Sequence, residues 1–202
     1  MGLRVLNVGC GKKKREFPEA GDATEIVGID ISPQSEAEII HDLDATPWPI
    51  ESDRFDLIIM QDVLEHLERV PAVLNEVWRV AAPNGRVRIR TPHYSSYYAY
   101  NDPTHKRFFG IYVLDGFLVD THNDLYAEGK FRLVTREIIF SRMMRYLGIA
   151  WFANTFSHRW EKLLAFVWRA DNMFFELEAV KSERGQGSGV GVQGSSKIPA
   201  SS

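Results

Sequence analysis

The N-terminal segment of this 202-residue chain joins a short apolar run to a glycine-rich break. Residues 3–8 are mostly apolar, as in a buried strand, and Gly9-Cys10-Gly11 follows them directly. Glycines at the end of a strand let the backbone turn sharply and approach a ligand closely. This arrangement favours an open α/β sheet, in which ligands bind at the carboxyl ends of the strands.

The chain beyond this break alternates strand-like and helix-like patterns. Further strands are predicted at residues 25–31, 38–41, 55–60, 86–91, 131–141 and 172–180. Apolar residues recur at helical spacing across residues 69–82, and Pro83-Asn84-Gly85 is expected to end that helix. The order predicts βαβ units with right-handed crossovers in a parallel sheet.

Two segments carry unusual side-chain patterns. In the fifth strand Arg86, Arg88 and Arg90 alternate with apolar residues, which predicts one face that is open to solvent or covered by something polar. Residues 151–168 place aromatic side chains on one helical face, which is expected to cover the sheet. A dimer contact or a peripheral contact with a membrane is the alternative for that face.

Composition predicts one domain over residues 1–181 and a disordered Gly/Ser-rich tail over residues 182–202. The net charge of -3 gives no general electrostatic footprint for nucleic acid. Cys10 is the single cysteine, so the chain has no internal disulfide. No signal peptide and no apolar run of membrane-spanning length are visible, and a cytoplasmic location is expected.

Polar residues follow the predicted strands at the rim where a ligand would bind. Asp30 ends the second strand and can accept hydrogen bonds from ribose hydroxyls. Asp42-Leu43-Asp44 follows the third strand, where a carboxylate can accept from an adenine amino group, and Gln61 follows the fourth. A nicotinamide-dependent oxidoreductase is disfavoured, because lysines 12–14 stand where its third glycine is expected.

Five segments together resemble the class I methyltransferases, within them the small type 11 methyltransferase domain. They are LNVGCG at 6–11, GIDIS at 28–32, DATPWPIESDRFDLI at 44–58, DVLEHL at 62–67 and EVWRVAAPNGRVRIRTP at 76–92. The resemblance implies a Rossmann-like α/β fold, with a doubly wound, mostly parallel seven-stranded sheet and an antiparallel final strand. It also implies S-adenosylmethionine as the cofactor.

The resemblance assigns cofactor-binding roles to specific positions. It places Gly9, Cys10 and Gly11 by the methionine moiety, Asp30 and Ile31 by the ribose, and Asp42, Leu43 or Asp44 by the adenine. Gln61 would lie near the sulfonium or the methionine amino group. Asn7 stands where many members carry an acidic residue, so it can accept a hydrogen bond but brings no charge.

The segment 92–110, PHYSSYYAYNDPTHKRFFG, is dense in titratable and aromatic groups and follows the fifth strand. His93 and His105 are candidate general bases for an alcohol acceptor, and Asp102 could orient a histidine. Lys106 and Arg107 could hold a phosphate or carboxylate, and Tyr94 and Tyr97 could contact substrate. The alternative is structural: His105 caps a helix, the basic residues face water and the tyrosines pack.

These features predict an S-adenosylmethionine-dependent enzyme. DPTHKRFF resembles a string of small methyltransferases associated with sugar and polysaccharide assembly, which favours O-methylation of a glycan or another small hydroxylated acceptor. A non-catalytic protein that keeps the nucleotide fold for binding or scaffolding is the alternative. The His, Asp and Glu residues are too scattered in the sequence to predict a metal site, and His66 is expected to be structural or close to adenine.

Overall fold

A computed structural model of the chain describes residues 2–119 and 129–181. Seven strands form one sheet in the order β3-β2-β1-β4-β5-β7-β6. β1 to β5 pair in parallel, and β7 runs antiparallel to both β5 and β6. This confirms the predicted mixed sheet with an antiparallel final strand. The strands are β1 (Leu3–Val8), β2 (Ala23–Asp30), β3 (Ile39–Ile40), β4 (Phe55–Gln61), β5 (Ala81–Pro92), β6 (Lys130–Ile139) and β7 (Asn172–Val180).

The main core lies on one face of this sheet. Helix α1 (Val70–Val80) turns Val73, Leu74 and Val77 toward it, and Pro71 suits the first helical turn. α1 ends at Val80, and β5 begins at the next residue. Residues 83–85 therefore lie inside β5, and the prediction that they end the helix is wrong. The short helix α2 (Tyr98–Asn101) lies in the segment that follows β5.

The opposite face of the sheet is covered less completely. The connections from β1 to β2 and from β2 to β3 contain no α-helix, only a short 3-10 turn at Pro18–Gly21. A small apolar cluster of Val5, Phe17, Leu57 and Ile59 packs there. The connection from β3 to β4 also contains no helix, so the first crossover helix is α1, between β4 and β5, where the sequence predicts a helix.

The arginine stripe of β5 lies on this less covered face. Arg86 pairs with Glu176 and Glu178 of the adjacent strand β7, and Arg88 pairs with Glu176 and Glu19. Arg90 pairs with Asp62, at the end of β4. Acidic residues on neighbouring segments therefore provide the polar cover predicted from the alternation of arginine and apolar residues. Charges on a half-exposed strand can stay both solvated and paired.

An insert of three short helices joins β6 to β7. The helices are α3 (Arg142–Tyr146), α4 (Ile149–Thr155) and α5 (Ser157–Leu163). The predicted helical face at residues 151–168 is broken at Phe156, and it buries Ala153 and Trp160 while Trp151 stays exposed. No helix within the described residues is long and apolar enough to cross a membrane. The predicted tail at 182–202 lies outside the described residues, and the domain boundary at 181 stays a prediction.

Candidate functional site at the carboxyl rim of the sheet

Three adjoining cavities lie along the rim formed by the carboxyl ends of β1, β2, β4 and β5. We call them the Asp30 cavity, the Gly11 cavity and the His105 cavity, with volumes of about 400, 580 and 730 Å³. Asp62 lines all three. Its φ of 54° lies in the left-handed region, which a non-glycine residue occupies at an energetic cost, often at a functional site.

The Asp30 cavity is built from the segments that follow β1, β2, β3 and β4. Asp30 is buried, and its two carboxylate oxygens accept hydrogen bonds from the backbone N–H groups of Gly11 and Ser32, each at 2.8 Å. A carboxylate has further lone pairs, so hydroxyl donors can still bind it. The other lining residues are Gly9, Ile31, Asp42, Leu43, Asp44, Asp62, Val63, His66, Leu67, Glu68 and Lys106.

Asp44 fixes the far wall of the Asp30 cavity. Its carboxylate accepts from the backbone N–H groups of Glu68 and Arg69 at 3.0 and 2.8 Å. Asp42 in turn accepts from the backbone of Asp44 at 3.0 Å. These bonds hold two carboxylates in place before a ligand enters, which reduces the ordering cost of binding.

The Gly11 cavity is formed by the loop after β1. Gly9 and Gly11 have positive φ values of 65° and 52°, and a Cβ atom at Gly9 would lie 2.4 Å from Val63 Cγ2. Asn7 is buried, and its side-chain amide donates to Lys14 O at 3.0 Å, which ties down the far end of the loop. Burial raises the pKa of the Cys10 thiol to about 11, so this residue stays a neutral packing group.

The His105 cavity lies beside the end of β5 and is rich in polar groups. It is lined by Asp62, Glu65, Arg90, Pro92, Tyr98, Asn101, Asp102, Pro103, His105, Ile139, Asp171 and Asn172. His105 Nδ1 is 2.9 Å from Ala99 O, and a carbonyl only accepts, so Nδ1 carries the proton. In the neutral ring the Nε2 lone pair is then free.

Glu65 lies opposite His105 and is almost fully buried. Its Oε2 accepts from the Thr91 hydroxyl at 2.9 Å, while Oε1 has no hydrogen-bond partner among the described residues. His105 Nε2 is 3.9 Å from that oxygen. Burial raises the pKa of the Glu65 carboxyl, because the ionised form is poorly solvated there.

His66 completes a group of three possible ligands with Glu65 and His105. One ligand atom from each residue lies within 4.8 Å of the others. The Thr104 hydroxyl donates to Asp102 at 2.6 Å and so accepts from His66 Nδ1 at 3.0 Å. His66 Nε2 is thereby left with a lone pair. The sequence predicts no metal site, but the fold brings these three groups together.

The family model described as Methyltransferase domain matches residues 6–89. The match covers less than half of the chain and shows that this part is similar to the type 11 methyltransferase domain. It confirms the resemblance predicted from the sequence and agrees with the predicted S-adenosylmethionine cofactor.

Curated relatives align with less than half of this chain. The ubiquinone biosynthesis O-methyltransferase of Rhodopseudomonas palustris strain HaA2 is 29% identical over 101 residues, which cover 45% of this chain and 40% of the relative. The protein of the same name from Azorhizobium caulinodans is 28% identical over 102 residues, with the same coverage of 45% and 40%. The chain thus spans less than half the length of these relatives.

Solved methyltransferase structures are similar in fold to most of this chain. A SAM-dependent methyltransferase from Archaeoglobus fulgidus has a TM-score of 0.61 and 17% identity, covering 88% of this chain and 86% of its own. An S-adenosylmethionine-dependent methyltransferase from Mesorhizobium loti has a TM-score of 0.54 and 17% identity, covering 88% and 91%. At these identities the likeness establishes the fold.

The residues predicted to bind the cofactor divide between two of the cavities. Gly9, Asp30, Ile31, Asp42, Leu43 and Asp44 line the Asp30 cavity. Asn7, Gly9, Cys10, Gly11 and Gln61 line the Gly11 cavity. Gly9 borders both. The two cavities together therefore have the residues and the continuity to receive a nucleoside at one end and an amino acid at the other.

The residues predicted for substrate and catalysis scatter more widely. His105 and Asp102 line the His105 cavity, whereas Lys106 lines the Asp30 cavity and pairs with Glu68 at 3.0 Å. Arg107 donates to the backbone oxygens of Leu67 and Glu68. Tyr97 is exposed and stacks on Tyr98, while the Tyr94 hydroxyl donates to Glu161 O at 2.9 Å.

His93 does not fit the role of a base. It is fully buried, and its Nδ1 and Nε2 are engaged by Ser95 Oγ at 2.8 Å and by Glu161 Oε1 at 3.2 Å. Neither nitrogen is free for an acceptor. The structure argues against the prediction of His93 as a catalytic base and gives it a packing role between the end of β5 and α5.

Sequence reasoning missed three residues of the rim. The sequence singles out Asp62 and Glu65 only within the string DVLEHL, and Arg90 only as part of a charged stripe. The signal for Asp62 and Glu65 is that both lie directly after β4, on the ligand-binding rim. Nothing in the sequence shows that Arg90 pairs with Asp62 across β4 and β5.

Proposed function

We propose that this chain is an S-adenosylmethionine-dependent O-methyltransferase that acts on a small hydroxylated acceptor. The observation that carries the proposal is the position of Asp62, where the Asp30, Gly11 and His105 cavities adjoin. The first two contain the predicted cofactor residues, and the third contains a histidine with a free ring nitrogen. The name of the curated relatives supports oxygen as the acceptor atom.

The residues present fit the cofactor. Asp30 can accept from ribose hydroxyls, and the backbone at Gly9 and Gly11 is open to close approach by a ligand. At Gly11 a Cβ atom would meet no atom within 4 Å, so the wall is open there. When bound, S-adenosylmethionine supplies an electrophilic methyl group on a sulfonium.

His105 is placed to handle the proton of the acceptor. Bound S-adenosylmethionine would supply the methyl group to an acceptor oxygen, and its sulfur would keep the electron pair of the bond that breaks. The hydroxyl proton passes to His105 Nε2, and the imidazolium that results faces the Glu65 carboxylate at 3.9 Å. Glu65 thus acts as a positioning residue that stabilises the charged histidine.

The polar lining of the His105 cavity supports a hydroxylated acceptor. Asn101, Asp102, Asp171 and Asn172 offer both donors and acceptors, and Tyr98 offers an aromatic face. A sugar, a glycan end or another polyol presents matching groups at short spacing. We propose this substrate class, in agreement with the expectation from DPTHKRFF.

The test is calorimetric titration with S-adenosylmethionine, followed by methyl transfer from labelled cofactor to a panel of sugars and hydroxylated aromatic compounds. Asp30→Ala should weaken cofactor binding by about 1–3 kcal/mol, a hydrogen-bond-sized loss. Asp22→Ala, at an exposed loop residue, is the matched control. Cofactor binding without transfer to any acceptor would favour the non-catalytic alternative, and no cofactor binding would refute the proposal.

A further inference from the structure

The insert between β6 and β7 carries a concentration of exposed large apolar side chains. Seven of its large apolar side chains are at least 60% exposed: Met143, Tyr146, Leu147, Trp151, Leu163, Phe166 and Val167. They lie in or just after three short helices that pack in sequence, α3 on α4 and α4 on α5. Exposed apolar side chains gathered on one element mark an interaction surface.

Cations accompany these apolar side chains. Arg142, Arg145, Arg159, Lys162 and Arg169 are exposed, and none forms an ion pair with another described residue. The single acidic residue from 141 to 170 is Glu161, which faces inward and accepts from Ile111 N at 2.9 Å. The insert is thus strongly positive in a chain whose net charge is -3.

The combination of exposed apolar side chains and cations indicates which kind of partner can bind the insert. A second copy docked through the same face would bring like charges together, because a two-fold contact pairs a patch with itself. An anionic bilayer accepts apolar and amphipathic side chains below its headgroups. Its negative headgroups also attract the cations that surround those side chains. Trp and Tyr are the residues that favour this boundary.

We propose that the β6–β7 insert docks on an anionic membrane surface, with the seven apolar side chains inserted among the lipids and the five cations at the headgroups. The contact is peripheral. Both ends of the insert reach the His105 cavity, since Ile139, Asp171 and Asn172 line it. Docking would therefore hold that cavity close to the headgroups, and the docking itself does not depend on the proposed catalytic activity.

The test is flotation of the full chain with vesicles of phosphatidylcholine, with and without phosphatidylglycerol, at low and high salt. We expect binding to the anionic vesicles at low salt and its loss at high salt, because headgroup attraction is screened. Trp151→Ser with Leu163→Ser, and Arg145→Glu with Lys162→Glu, should each reduce binding more than about tenfold. Circular dichroism and melting temperature establish that the variants fold.

Matched controls and contrary outcomes complete the experiment. Arg15→Glu and Val134→Ser change an exposed cation and an exposed apolar residue elsewhere, and both should bind as the wild type does. Failure of the wild-type chain to float with anionic vesicles overturns the proposal, as does equal binding by the insert variants. Light scattering that shows a dimer dispersed by the Trp151 and Leu163 substitutions would assign the surface to a second copy.

Discussion

His105 Nε2 lies 3.9 Å from Glu65 Oε1, a buried carboxylate oxygen with no hydrogen-bond partner among the described residues. The two side chains come from segments 40 positions apart, one following β4 and the other following α2. A buried carboxylate beside a neutral imidazole stabilises the imidazolium that forms when the histidine takes a proton. In the proposed function this pair takes up the proton of the acceptor.

Replacing His105 should separate catalysis from cofactor binding. His105→Asn keeps a donor near Ala99 O but removes the free ring nitrogen, so turnover should fall about 100- to 10,000-fold. Affinity for S-adenosylmethionine should stay near the wild-type value, as measured by calorimetry. His158→Asn, at an exposed histidine, is the control, and an equal loss there would remove the assignment.

Zinc should inhibit the proposed methyl transfer. Glu65, His66 and His105 offer one oxygen and two nitrogens to a single ion, and an ion bound there would occupy the lone pair that His105 needs as a base. We expect chelator-treated protein to retain activity and added Zn²⁺ to abolish it. His66→Asn should raise the inhibitory Zn²⁺ concentration more than about tenfold, because one ligand is lost. Activity that requires the ion would instead make the cluster a catalytic metal site.

Glu65 should make stability depend on pH. Its raised pKa means that the folded chain binds the proton more tightly, so this contribution to stability is lost as pH rises from about 4.3 through the folded value. Glu65→Gln cannot ionise and keeps an acceptor for Thr91. It should melt above the wild type at neutral pH, and the two should converge at acid pH. Glu68→Gln, at an exposed residue, should show no such crossover.

Gly9 should tolerate no side chain. A Cβ atom there would clash with Val63 at 2.4 Å, and the positive φ adds about 1–2 kcal/mol for any residue with a Cβ. Gly9→Ala should lower the free energy of unfolding in urea and weaken cofactor binding together. Gly21→Ala places its methyl group in open space and should leave both unchanged. Normal cofactor affinity in Gly9→Ala would remove the loop from the binding site.

Much of the proposed cofactor site, in the Asp30 and Gly11 cavities, can be predicted from local sequence. β1 and the glycine loop, Asp30 at the end of β2 and Asp42 to Asp44 after β3 follow from short-range patterns, because a parallel sheet brings all its carboxyl ends to one rim. Strand β7 was predicted with its observed bounds, since alternating burial gives a clear period of two.

The arrangement of the proposed acceptor site, in the His105 cavity, depends on tertiary structure. The sequence makes His93 and His105 equally good candidates for the base. In the fold, Glu161 of α5 lies within hydrogen-bond distance of His93 Nε2, whereas His105 uses only Nδ1 and keeps Nε2 free. The same holds for the arginine stripe, because its acidic partners Glu176 and Glu178 lie about 90 residues away on β7 and Glu19 and Asp62 lie on other segments. Local periodicity determines which segments become strands and where their carboxyl ends form a rim. Pairing between distant side chains depends on strand order and register, and a short segment of sequence carries no information on either.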